Sequence, residues 1–262
     1  GYAGAFGEAD FYVRPKNFDA ISQKLADDHA VLIVGPSGTG KTWLTKALID
    51  ALMFHKTQKL TREVVSAGPS QIIGYNENAP VVFDIEDPWG KYARSSQSGE
   101  WSATLPDLLA QASANRKYVV TSRSDFFEAA KPKHLEKWFV PLTAENYTRN
   151  MRGQMFQHRL ALLPRAKQRL ADPFRSKVLT ALETPLEIDK FFLLLRNEPP
   201  PDQSDTVFVQ DCMDRSRGDV IENSIVAQID QSNAHAAAAI IWGLLKAFAP
   251  LTKLQVGSTL GT

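Results

Sequence analysis

The sequence predicts an α/β fold: a five-stranded parallel sheet with helices on both faces, followed by a block of helices alone. Three observations carry this. The apolar run Val31 to Val34 passes directly into a glycine-rich loop and then into a helix with no interior Gly or Pro. Short β-type runs alternate with helical stretches as far as Leu142, the alternation that a parallel sheet with crossover helices requires. From Thr143 onward the apolar spacing is helical throughout.

The elements follow in order. Asn17 to Leu25 is a helix, because Phe18, Ile21 and Leu25 fall on one stripe at i, i+3 and i+7. Val31 to Val34 is the first strand, and Trp43 to Phe54 the helix after the loop. Further strands are expected at Glu63 to Ser66, Val81 to Ile85, Tyr118 to Thr121 and Trp138 to Leu142, with helices at Ser102 to Ala114 and Asp125 to Ala130 between them. Four helices then succeed one another: Ala144 to Phe156, Leu160 to Leu170, Pro173 to Glu183 and Leu186 to Leu195. Asp172 and Thr184 are placed to cap the last two, each just before a proline suited to a first turn. Glu198 to Ser204 (EPPPDQS) is a loop, and Val220 to Ile229 and Ala234 to Phe248 are two more helices.

The loop itself, Gly35-Pro36-Ser37-Gly38-Thr39-Gly40-Lys41-Thr42, carries every part of GxxxxGK[ST]. A strand-to-helix turn of this kind gathers successive backbone N–H groups around one anion, and the helix N-terminus adds its partial positive charge. Lys41 supplies a point charge toward β- and γ-phosphates, and the Thr42 hydroxyl a ligand for Mg²⁺. The ligand expected is ATP or ADP with Mg²⁺. Adenine is favoured over guanine because no [NT]KxD segment stands at the later strand ends.

Composition limits the alternatives. The 262 residues hold 30 Lys and Arg against 29 Asp and Glu, a net charge of +1, so no global basic field argues for nucleic acid or an anionic membrane. Cys212 is the single cysteine, which excludes an intrachain disulfide and a cysteine-cluster metal site. With no signal peptide and no apolar run near 18 residues, the expectation is a soluble cytoplasmic protein with no membrane partner. The start at Gly1 and the stop soon after an apolar helical run read as a piece of a longer chain.

A phosphate site also needs carboxylates, and the third strand ends PVVFDIEDPWG. Asp84 and Glu86 share one face of an extended segment, while Asp87 points away unless the strand has ended. The reading favours Glu86 for the metal and Asp87 for the attacking water, with Asp84 as the other metal candidate. The fourth strand runs into Thr121-Ser122-Arg123. Ligands in open parallel sheets lie beyond the carboxyl ends of the strands, so Arg123 arrives where it can read a γ-phosphate, or it simply pairs with Asp125 or Glu128. Trp89 either packs at the sheet edge or shields the acids. His55, His134, His158 and His235 lack metal-ligand spacing.

GPSGTGKT, IEDPWG and VVTSRSD in this order resemble the core of the STAND ATPases, the signal-transduction branch of AAA+-like P-loop NTPases that includes NACHT and NB-ARC proteins. The likeness is nearest to the bacterial novel STAND NTPases of anti-phage defence. It extends from Phe11-Tyr12-Val13-Arg14-Pro15, similar to the family's adenine-side motif, to Thr184-Pro185-Leu186, where the family places a helix-opening proline near the base. The resemblance implies that Gly35 to Trp43, Arg14, Pro15 and Pro185 bind the nucleotide, that Lys41, Glu86, Asp87 and Arg123 are catalytic, and that Thr42 and Glu86 hold the metal. Two departures stand out: the first acid is Glu where Asp is usual, and the TPL match is loose.

The implied organisation is a tail at 1–10, a nucleotide-binding domain at 11–142, a helical subdomain at 143–197, a linker at 198–219, and the approach to a winged-helix segment at 220–262. Such proteins act as switches closed around ADP and opened by ATP exchange and ATP-dependent homo-oligomerisation, with effector and sensor domains elsewhere in the full-length chain. Two other readings stay open, a small-molecule kinase and an AAA+-type loader. Against the loader, the segment between the fourth and fifth strands offers Lys131, Lys133 and Lys137 but no arginine finger.

Overall fold

Residues 12–54, 60–75, 79–91, 95–200 and 202–217 are described by a computed structural model. Helix α1 (Phe18–Asp28) leads into β1 (Ala30–Gly35), and the loop then opens α2 (Lys41–Phe54). After these come β2 (Thr61–Val65), α3 (Pro69–Ile73), β3 (Val81–Glu86), α4 (Ser98–Ala110), β4 (Arg116–Arg123), α5 (Ser124–Ala130) and β5 (Phe139–Pro141). The five strands form one sheet in the order β2-β3-β4-β1-β5, and every pair is parallel. The α/β fold expected from the alternation is therefore the one observed.

Why the strands read as solid apolar runs is visible in the packing. Val31, Leu32 and Ile33 are each fully buried, since α1 and α2 cover one face of the sheet and α3, α4 and α5 the other. Val31, Ile33, Val82 and Val119 join Ile21, Leu25, Leu44 and Leu48 in the first layer. Leu32, Phe83, Tyr118 and Val120 join Trp89, Trp101, Leu105 and Leu108 in the second. Each such side chain contributes roughly 1.5–3 kcal/mol on leaving water, so the centre of the sheet is a rigid base for whatever its strand ends carry.

Beyond Leu142 the chain is helical: a short 3-10 turn at Ala144–Asn146, then α6 (Arg149–Ala161), α7 (Arg165–Ala171), a second 3-10 turn, α8 (Arg175–Ala181) and α9 (Pro185–Leu194). Thr148 caps α6 by accepting from the Met151 N–H, and a Thr184–Glu187 capping box with Pro185 in the first turn starts α9. This block has its own core, built on Phe156, Leu179, Ile188, Phe191 and Phe192.

The structure differs from the sequence reading in several places. Residues 205–217, inside the stretch read as a linker, form a helix, α10, because Phe208, Val209, Cys212 and Met213 pack into the helical core. Helix α3 was not anticipated; five residues between Gly68 and Gly74 are too few to show a period. Helix α4 starts a turn early and keeps Pro106 in its interior, since burying Trp101 above Leu105 requires the extra turn. The expected helices at 220–229 and 234–248, the winged-helix approach and the tail at 1–10 lie outside the described residues.

Candidate nucleotide site

Sheet order explains what meets at the site. Because β4 lies between β1 and β3, its end faces both neighbours: Arg123 is in register with Gly35, and Thr121 with Glu86. The loop after β1, the acids after β3 and the end of β4 therefore share one edge.

The loop has no room for side chains where its glycines fall. A Cβ on Gly35 would sit 1.9 Å from the Leu142 carbonyl oxygen, so β5 and the loop touch backbone to backbone. Gly38 and Gly40 adopt φ of 83° and 85°, the left-handed region that costs other residues about 1–2 kcal/mol. The Thr39 hydroxyl donates to the Pro36 carbonyl at 2.9 Å. Lys41 curls back, its ammonium donating to the Gly35 and Pro36 carbonyls at 2.8 Å each. Burial pulls this amine down to about 8, against the opposing field of Asp87, Asp125 and Glu86.

On the acidic side, the structure joins Glu86 to Thr42: the hydroxyl donates to Oε1 at 3.1 Å, and Lys91 donates to the same oxygen at 3.2 Å. A hydroxyl and a carboxylate meeting at the helix start are hard oxygen donors of the kind Mg²⁺ prefers. Among the described residues no cluster of three His, Cys, Asp or Glu could hold a metal alone. Asp84, two residues back on the same face, is tied instead to the Arg62 guanidinium by two nitrogens.

Asp87 stands just past the strand with φ 49°, so the strict alternation of side chains has ended there. Its N–H donates to the Thr121 carbonyl at 2.8 Å, and its own carbonyl accepts from Gly90 in the turn that follows. Its carboxylate accepts the Arg123 N–H at 3.1 Å. Burial pushes this carboxyl up to about 6, although Lys41 draws it down. Trp89 in that turn is fully buried, donating to the Ser102 hydroxyl at 2.9 Å, and so anchors the turn by packing.

The Arg123 guanidinium forms a bidentate pair with Asp125, at 3.1 and 2.6 Å, and donates to the Lys91 carbonyl at 2.7 Å. The pair with Asp125 is one of the two expectations for this side chain, and the residue's link to the acids is through its backbone N–H on Asp87. On the leading segment, Arg14 lies over the Phe18 ring at 4.4 Å, buried Pro15 accepts the first N–H of α1, and Tyr12 stacks on Trp43.

Sequence reasoning named Pro185 and the Thr184-Pro185-Leu186 motif but missed Tyr147 and the Leu186 N–H, which reach the loop backbone from the helical block. The Tyr147 hydroxyl, 108 positions away, donates to the Thr39 carbonyl at 2.9 Å, and the Leu186 N–H to the Gly38 carbonyl at 3.2 Å. Leu186 and Pro185 lie against the open faces of Gly38 and Gly40. Nothing local in Glu145-Asn146-Tyr147 announces such a contact.

A GxxxxGK[ST] loop between a central strand and its helix, with Thr42 and Glu86 in contact beside it, makes this chain a P-loop nucleoside triphosphatase. More narrowly, the chain belongs to the family described as Novel STAND NTPase 3, whose model matches residues 12–162, as the resemblance implied. Similar solved structures include a Walker-type ATPase of Pyrococcus abyssi (11% identity, TM-score 0.47, covering 96% of this chain and 91% of that one). Others are the Thermotoga maritima RuvB Holliday junction branch migration motor (14%, 0.41, 95% and 83%) and C. elegans PCH-2 (13%, 0.45, 79% and 67%). No curated protein matches the chain. No helix among the described residues is long and apolar enough to cross a membrane.

Proposed function

We propose that the chain binds Mg·ATP in the 35–42 loop, hydrolyses it slowly to ADP and phosphate, and serves as the cytoplasmic nucleotide switch of a larger signalling or antiviral defence protein. One observation supports the switch most: Tyr147 and Leu186 of the helical block hydrogen-bond to the loop backbone at Thr39 and Gly38. Whatever reshapes that backbone alters both bonds, and a helical block that swings away releases them.

In this reading Lys41 exchanges the Gly35 and Pro36 carbonyls for phosphate oxygens. Thr42 and Glu86 hold Mg²⁺, with Asp84 the other metal candidate; the ion, when bound, neutralises charge on the β- and γ-phosphates. Asp87 orients the attacking water and takes its proton, a task suited to a carboxyl raised to about 6. Arg123 reads the phosphate by giving up Asp125. Arg14, Pro15, Trp43 and Pro185 flank the nucleoside. Effector and sensor segments of the full-length chain, and an ATP-dependent homo-oligomer, are the partners that family membership suggests.

Hydrolysis is slow because no arginine stands between α5 and β5, where Lys131, Lys133 and Lys137 are the basic residues; an arginine finger supplies on the order of 10³–10⁵ in rate. Steady-state phosphate release at saturating Mg·ATP tests this. The expected turnover is far below the roughly 1–100 s⁻¹ of kinases, and tens per second from a monomer would overturn it.

A further inference from the structure

The helical block is charged very differently from the chain as a whole. Between residues 149 and 182 eight Lys and Arg face a single acid, Asp172, a local excess of seven positive charges in a chain of net +1. Two of the eight meet carboxylates, Arg159 at Asp189 and Lys167 at Glu198. Two others, Arg149 and Arg175, line one cleft of about 420 Å³ between α6 and α8, together with Asn150, Gly153, Ser176 and Leu179. No residue of the phosphate loop lines it.

Gly153 and Leu179 form the buried floor of the cleft, and Arg149, Asn150, Arg175 and Ser176 its exposed rim. Arg149 reaches from the start of α6 across to α8, donating to the Ser176 hydroxyl at 3.0 Å and to Thr180 Oγ1 at 3.3 Å, so its guanidinium is held in place by neutral oxygens. Arg175 lies close against the backbone of α6: a Cβ on Gly153 would come within 3.3 Å of its guanidinium nitrogen. A glycine inside a helix costs about 1 kcal/mol against alanine, and here the space it leaves is the space beside Arg175. Neither arginine has an ion-pair partner among the described residues.

We propose that this cleft is a second anion site, one that takes a small phosphate-bearing ligand between Arg149 and Arg175. Guanidinium forks match phosphate oxygens two at a time, the volume falls in the range of about 300–1,000 Å³ typical of small-molecule sites, and Asn150 and Ser176 add neutral hydrogen-bonding groups.

The test uses inorganic pyrophosphate and the whole chain carrying Lys41→Ala, so that the loop is disabled and the cleft is read alone. Calorimetric titration should show saturable binding, weakened at least about tenfold when Arg149→Gln and Arg175→Gln are added. Arg175→Gln by itself, which removes no hydrogen bond among the described residues, should give a several-fold loss with an unchanged circular-dichroism spectrum. Absence of binding to the Lys41→Ala chain, or equal affinity with and without the arginines, overturns the proposal. So does arginine-dependent binding of a short nucleic-acid duplex where pyrophosphate does not bind. None of these outcomes depends on whether the 35–42 loop hydrolyses ATP.

Discussion

Tyr147→Phe isolates the bond on which the switch reading rests. The ring is buried in the helical core and keeps its packing, so the change removes one hydroxyl and leaves the Thr39 carbonyl without that donor. A neutral hydrogen bond contributes about 0.5–1.5 kcal/mol net, and a carbonyl left unsatisfied costs about 1–3 kcal/mol. Water replaces the lost donor once the helical block moves away, so the cost falls on the closed state. A shift of about 1 kcal/mol is roughly fivefold in the closed-to-open ratio. Release of a fluorescent ADP analogue, followed by stopped flow, should therefore accelerate roughly fivefold, while the melting temperature falls by about 2–4 °C. An unchanged release rate with the same loss of melting temperature would refute the reasoning, since Tyr147 would then support the fold without sensing the loop.

Lys41→Ala should abolish tight ADP binding, measured by fluorescent titration, with an unaltered circular-dichroism spectrum. Hydrolysis should rise with pH through about 6 as Asp87 loses its proton, and Asp87→Asn should remove that limb and leave ATP bound, as chromatography of the extracted nucleotide will read. The same raised carboxyl has a stability signature: its folded value lies above its ordinary 3.8, so its contribution is full below pH about 4 and lost as pH rises through about 6. Thermal melts of wild type against Asp87→Asn should diverge across that window. Gly35→Ala drives a Cβ into the Leu142 carbonyl and should cost about 3 kcal/mol or more, visible as a lowered denaturation midpoint with unchanged slope.

Much of the architecture is legible because it is local. The burial of Val31 to Ile33 on both faces writes a strand as an apolar run, and GxxxxGK[ST] writes a loop whose geometry only those residue types tolerate. What escapes is long-range. The partner of Asp84 could not be read, because Arg62 comes to it only through the pairing of β2 with β3. Arg123 ends β4 in register with Gly35, but its engagement with Asp125 and the Lys91 carbonyl depends on side-chain reach that no spacing states. Tyr147 is the clearest case, an aromatic whose polar end matters only once the segment before α6 and the loop have been brought together. Helix α10 is different: Phe208, Val209, Cys212 and Met213 show an i, i+4 stripe, and the preceding prolines and β-branched Thr206, Val207 and Val209 obscured it.

Amide hydrogen exchange of the whole chain, compared with no nucleotide, with ADP and with Mg·ATP, tests the central claim most directly. The segments to read are the loop, 36–42, and the start of α9, 184–188, where the Leu186 N–H donates to Gly38. If the helical block senses the nucleotide, ADP protects both segments, whereas Mg·ATP protects the loop and raises exchange at 184–188. Equal protection of both segments by the two nucleotides would contradict the account, because the loop would then hold ATP and ADP without the helical block telling them apart.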